Sequence, residues 1–179
     1  QMLVGMLTVL KTNDRALAQK LRNMDDVVDN LYTAIKLYLT QVSRKALDVK
    51  EGRRWADIVS FAINMEQVGD IIERIITDVE EKKIDKGRKF SEAGMDEICD
   101  LHGRLLANLR LGMSVFLHGD LASAQRLLAE KVLFRDLERA YAESHIERLT
   151  SNTVQSIETS SLHLDMISDL KRINSHICS

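Results

Sequence analysis

The 179-residue chain contains no proline, eight glycines and two cysteines. Barrels, sandwiches and Rossmann-type sheets turn often, and proline and glycine are the usual residues of tight turns, so their scarcity points to few, long elements. Cys99 and Cys178 are too few for a disulfide framework, and a chain of this size does not need one to fold; a reducing compartment is the expectation. Aromatics are 4% of the residues and the formal net charge is −2, so neither composition nor overall charge favours nucleic acid. No apolar run approaches the roughly 18 residues that a membrane-spanning helix needs, and the stretch as it stands reads as soluble. Its opening Gln1-Met2-Leu3-Val4-Gly5-Met6-Leu7 has neither the basic start nor the cleavage site of a signal peptide, and enters an apolar helical pattern at once, as an excised piece of a longer protein would.

What is present is 45% hydrophobic and 29% charged, enough for one core under a well-solvated surface. Punctuation falls at Thr12-Asn13-Asp14, Asp48 to Gly52, Asp85-Lys86-Gly87 followed by Ser91, His118-Gly119-Asp120 and Thr150-Ser151-Asn152. Each is a turn or a helix start, which predicts six helices over 2–12, 14–46, 51–84, 91–117, 121–149 and 153–178. Apolar spacing agrees. Ile58, Ala62, Met65, Gly69, Ile72 and Ile76 form one stripe at helical period, and Leu162, Met166, Leu170, Ile173 and Ile177 form another. Segments of about 30 residues are about 45 Å long. With short connections they pack as antiparallel neighbours in a bundle.

The chain also resembles itself. A shift of 106 residues lays Thr12-Asn13-Asp14 on His118-Gly119-Asp120 and matches Ala16, Ala18, Gln19, Leu21, Leu31 and Ala34 with identical residues. One helix later, a shift of 105 sets Met65 to Ile72 against Leu170 to Ile177. Two three-helix units, 1–89 and 90–179, are therefore expected within one domain of 179 residues. By this correspondence, about fifteen residues of the first helix are missing at the N-terminus, and the sixth helix stops short of its counterpart.

The most informative stretch is Asn64-Met65-Glu66-Gln67-Val68-Gly69-Asp70. Glu66 and Asp70 fall on adjacent turns of one face, where their oxygens could converge on a cation with carboxylates from a neighbouring helix, Asp25 and Asp29 being the candidates. The plainer reading is a solvated face with Arg74, four residues beyond Asp70, as salt-bridge partner, and by spacing alone it is the preferred one.

Two three-helix units, each with an Asn/Gly-Asp turn before its second helix and a signature like Met65-Glu66-Gln67-Val68-Gly69-Asp70 in its third, resemble the PhoU family. Leu170-Lys171-Arg172-Ile173-Asn174-Ser175-His176 matches the second signature in outline, and the resemblance covers essentially the whole chain. It implies an all-α fold of PhoU-like tandem three-helix bundles, six long antiparallel helices. It also implies a metal site, for a divalent or iron-type ion, at Glu66 and Asp70 with Asp25 and Asp29. The second unit carries Lys171 and Ser175 at the matching places, so no second site is expected.

The family includes free-standing regulators of phosphate uptake and domains attached to sodium/phosphate cotransporters, and Asp169 to His176 resembles the latter. The function implied is a cytoplasmic regulatory or interaction domain of a cell inner membrane protein that transports phosphate with sodium. Its partners would be the transport domain of the same chain and a second copy in a homodimer. The alternatives are a free-standing metal-binding regulator and a helical adaptor unrelated to phosphate.

Other constellations read as structure. No Glu-x-x-His pair of the ferritin-like di-metal type occurs, nor a phosphate-binding glycine loop, nor a nucleophile elbow. Cys99 and His102 lack a third group, and Cys99 fits the apolar pattern. Asp165, Asp169 and His176 share a side of the last helix and are read as ordinary surface. The chain is not expected to be an enzyme. Two basic clusters, Arg44, Lys45, Lys50, Arg53 and Arg54, and Lys82, Lys83, Lys86, Arg88 and Lys89, sit at helix ends. Their first reading is complementarity to helix dipoles, their second contact with anionic lipid headgroups.

Overall fold

In a computed structural model, which describes residues 1–42, 47–150 and 154–179, every regular element is helical. They are α1 (Met2–Thr12), α2 (Arg15–Val42), α3 (Val49–Val79) with a π-helical turn at Glu80–Ile84, α4 (Glu92–His118), α5 (Leu121–Thr150), α6 (Val154–Glu158) and α7 (Ser160–Ile177). The expected boundaries hold to within about two residues, except that the end expected for the second helix, at 46, lies outside the described residues, and with two differences. The third helix closes as a π turn, and the sixth breaks at Thr159 into α6 and α7. Of the sequence signals, Arg44, Lys45, Ser151 and Asn152 lie outside the described residues.

Local chemistry sets the ends. Asn13 takes the left-handed conformation with φ 59°, and Asp14 Oδ1 accepts the Leu17 amide at 2.9 Å to start α2. The turn 106 residues later is built alike, with Gly119 at φ 67° and Asp120 accepting from the Ala122 amide and the Ser123 hydroxyl. At the head of α3, Asp48 and Glu51 form a reciprocal capping box. Ser91 caps α4 through the Gly94 amide.

Pairings across helices give the directions. Leu39 with Trp55, and Arg22 with Glu80, make α2 and α3 antiparallel. Glu97 with Arg148, and Asp100 with Tyr141, do the same for α4 and α5. Glu97 with His163, and Asn108 with Asn174, make α4 and α7 parallel. The helices form two three-helix units, α1–α3 and α4–α7, joined chiefly where α3 packs on α7. The core runs through that seam: Ile71, Ile72, Ile75 and Ile76 of α3 and Met166, Leu170 and Ile173 of α7 are buried with Leu10, Ile98 and Phe134. This is the tandem three-helix architecture expected from the sequence.

Candidate metal centre

Halfway along the α2–α3 seam, an oxygen from each of Asp25, Asp29 and Asp70 lies within 4.8 Å of the other two. Asp25 and Asp29 are one helical turn apart on α2, and antiparallel pairing brings that turn opposite Gly69 and Asp70 of α3. Glycine is what permits the approach. A Cβ built on Gly69 would stand 2.5 Å from Asp25 Oδ1, so any larger residue would evict the carboxylate. Asp25 is only 6% exposed, and its Oδ1 has no hydrogen-bond partner.

A buried carboxylate without a donor is costly in its ionised form. Burial pushes the Asp25 carboxyl up to about 6, and the nearby charges of Asp29, Glu73, Asp70 and Asp26 push the same way. Asp70 is also raised, first by partial burial and then by Glu66, Asp29 and Glu73. Among the described residues no lysine or arginine pairs with Asp25, Asp29, Glu66, Asp70 or Glu73. Arg74, the salt-bridge partner expected for Asp70, turns away to α7. It pairs there with Asp169 across the seam where α3 packs on α7.

Glu66 stays at the edge: its Oε2 accepts from Gln67 Nε2 at 2.8 Å, and it is outside the three converging carboxylates. Glu73, which the sequence reading passed over, belongs to the same field through its effect on Asp25 and Asp70. Its i+3 spacing from Asp70 was the available signal.

The remaining candidates are used elsewhere. Asp165 pairs with Lys82, Asp169 with Arg74 and Arg172, and His176 Nδ1 meets Asn64 Oδ1 at 2.9 Å. His102 Nε2 lies 2.7 Å from the Leu3 carbonyl oxygen. Of the basic clusters, Lys83 is buried and donates to the Leu10 carbonyl at 2.9 Å and to Asn13, so it is withdrawn from any headgroup. Arg54 donates to the Phe116 carbonyl and lies over that ring.

A PhoU domain model matches residues 1–79, the stretch that carries all six carboxylates of this field. The second unit lies outside that match, but relatives span both. A Salmonella typhimurium protein provisionally named inorganic phosphate export protein YjbB is 47% identical over all 179 residues, and its Escherichia coli K12 namesake is 44% identical over the same span. The chain spans a third (33%) of the length of these relatives. No solved structure matches it significantly.

The first and second units differ at this seam. Where α2 has Asp25 and Asp29, the 106-residue shift places Lys131 and Arg135 on α5, and where α3 has Glu66 and Asp70, α7 has Lys171 and Ser175. Lys171 pairs with Glu138 at 2.8 Å, Arg135 with Asp136 at 3.1 Å, and Ser175 Oγ donates to the Lys171 carbonyl. The concentration of unpaired negative charge belongs to the first unit.

The second unit has its own buried polar cluster, which spacing did not reveal. Arg148 binds Glu97 through two hydrogen bonds of 2.7 Å, and His163 Nε2 stands 3.0 Å from Glu97 without hydrogen-bond alignment. His145 stacks on His163 with ring centroids 4.5 Å apart. Burial, with His145 beside it, pushes His163 down to about 4.

Proposed function

We propose that this chain is a regulatory or interaction domain of a membrane protein that moves inorganic phosphate, attached on the cytoplasmic side of a cell inner membrane and biasing transport without chemistry of its own. The observation that carries this reading is the 47% identity over the full 179 residues to one third of a protein named for phosphate export. No helix among the described residues is long and apolar enough to cross a membrane, which suits a domain that acts on a transport unit from outside the bilayer. Coupling of that transport to sodium is the finer part of the reading, and the transport domain of the same polypeptide is the proposed partner.

The test is deletion of residues 1–179 from the full-length protein in cells or vesicles, with phosphate flux measured in sodium and in its absence. An altered flux, or a lost response to internal phosphate, is expected. Unchanged flux and response would refute the regulatory role, and flux indifferent to sodium would refute the sodium coupling alone.

Within this reading Asp25, Asp29 and Asp70 hold a hard cation, with Glu66 and Glu73 adding field. The donors fit: all are carboxylate oxygens, the acceptor set that magnesium, calcium, manganese and iron ions take. The unpartnered Asp25 Oδ1 and the absence of a paired base leave charge that a cation would offset. A bound ion would supply charge neutralisation, locking α2 on α3. Elemental analysis of protein purified without chelator should find metal that is lost in the Asp25→Asn, Asp70→Asn double variant; wild-type protein that neither retains nor is thermally stabilised by any of these ions would refute the site.

A further inference from the structure

A bundle of long helices presents its turns at two ends, and here the two ends differ. α3 runs antiparallel to α7, through Arg74 with Asp169 and Asn64 with His176, and α4 runs parallel to α7. Hence α3 begins at the end of the molecule where α4 stops and α5 starts. Arg54 ties these turns together: it donates to the Phe116 carbonyl at 2.9 Å and lies over the Phe116 ring, which stacks on Phe61. Large apolar side chains stand in the open here. Val49, the first residue of α3, is 75% exposed, and Leu117 and Leu121, on either side of the Gly119 turn, are 56% and 71% exposed. Met113, one turn back along α4, and Leu128, two turns along α5, extend this surface. Between the turns lies a cleft of about 500 Å³ whose walls include Phe61, Phe116, Leu117 and Leu128.

Cations flank this apolar tip. Lys50, Arg53 and Arg54 lie in the first two turns of α3, are exposed, and form no ion pair among the described residues. The acids nearby, Asp48, Glu51 and Asp120, accept from backbone amides at helix N-termini, whose positive dipole end offsets their charge. Asp57, a turn further in, is a single charge against three. The other end offers no such pairing. There Lys82 is bridged to Asp78 and Asp165, Lys83 is buried, and no large apolar side chain is exposed between Asp85 and Phe90. Val154 and Ile157 are exposed at that end, on α6, whose one charged residue is the acidic Glu158.

Apolar side chains on projecting turns, with uncompensated bases set around them, fit a layer that is apolar inside and anionic at its face. We propose that this end of the bundle docks on an anionic lipid surface, Val49, Leu117 and Leu121 entering the acyl boundary while Lys50, Arg53 and Arg54 meet headgroup phosphates. Basic residues alone left both clusters open to headgroups. The apolar turn between α4 and α5, which packing brings beside the first cluster, selects one end and fixes an orientation. Docked so, the field of Asp25, Asp29 and Asp70 stands about 30 Å back along α3 at 1.5 Å per residue, clear of the anionic surface. Nothing in this docking depends on phosphate transport.

The test is co-flotation of the 179-residue chain with vesicles of mixed phosphatidylglycerol and phosphatidylcholine, and with vesicles of phosphatidylcholine alone. Binding is expected to the first and not to the second, and Leu117→Ser with Leu121→Ser should weaken it roughly tenfold or more. Lys50→Glu with Arg53→Glu should weaken it likewise. All four side chains are exposed, so the melting temperature should hold, which separates lost docking from lost fold. Orientation is read with an environment-sensitive dye on Leu121→Cys, in a Cys99→Ser, Cys178→Ser background. Lipids brominated in their acyl chains should quench it and should not quench the same dye on Val154→Cys. No partition of the unsubstituted chain into the anionic vesicles would overturn the proposal and leave the tip to a protein partner. Equal quenching at both ends, or binding indifferent to loss of the two leucines, would overturn it as well. Neither phosphate flux nor a transport unit enters this measurement, so its failure leaves the regulatory function untouched.

Discussion

Asp25 is held against the Cα of Gly69 with one oxygen unpartnered, among four other acidic groups. In metal-free protein, Asp25→Asn keeps the shape and removes the penalised charge, so its melting temperature should rise above that of the wild type near pH 7.5. Scanning calorimetry in chelator reads this. Saturating divalent cation should reverse the order, because only the wild type then gains from binding. A fall in melting temperature for Asp25→Asn in chelator would show that the carboxylate is held by something stabilising. Gly69→Ala acts from the other side. Its Cβ would occupy the place of Asp25 Oδ1, and overpacking of this kind costs about 1–3 kcal/mol, readable in a urea titration. The same variant should lose cation stabilisation, whereas Gly52→Ala, with open space around it, should retain it.

At the scale of the element, the π turn Glu80–Ile84 explains a lysine that the sequence presents as surface. One extra residue in the turn rotates Lys83 beneath the end of α1, where it donates to the Leu10 carbonyl and to Asn13, groups that the helix itself leaves unsatisfied. Its charge is held less strongly than usual, because burial and Lys89 push the Lys83 pKa down. Lys83→Met should therefore leave the Leu10 carbonyl orphaned and loosen α1, at a cost of about 1–3 kcal/mol. Hydrogen exchange should quicken at the amides of α1 and stay unchanged in α5. Uniform change across both helices would contradict the local role. Helix starts, by contrast, were readable because Asp14, Asp48, Ser91 and Asp120 act on backbone groups two or three residues away. The π turn and the break at Thr159 were not, since they answer to packing across helices.

Over the whole molecule, buried titratable groups in the two units pull stability in opposite directions. Asp25 has a folded pKa of about 6 against 3.8, so the folded state holds a proton that the unfolded state has released. Its contribution is fully present below pH 3.8 and is lost as pH rises through 6. His163 has a folded pKa of about 4 against 6.5, so the unfolded state takes up the proton first, and stability is lost as pH falls from 6.5 towards 4. The stability gain of Asp25→Asn over the wild type should therefore grow between pH 4 and pH 6. Relative to the wild type, His163→Leu should improve as pH falls from 6.5 to 4. Denaturant midpoints measured across that range check both; differences that do not vary with pH would mean that neither group titrates as its surroundings dictate.

The sequence by itself determined the helices, their caps and the concentration of carboxylates in the first unit, because periodicity, capping and i, i+4 spacing act within one stretch of backbone. It reached Asp25, Asp29 and Asp70 through a family resemblance and helix order. Only the tertiary structure decided which charges meet. Arg74 is as near Asp70 along α3 as a salt bridge requires, yet the rotation of α3 against α7 gives it to Asp169. Glu97, Arg148, His145 and His163 are scattered over 67 positions and become one cluster only when α4, α5 and α7 pack. The choice of partner depends on the relative rotation and register of whole helices, which the core fixes and no local pattern carries.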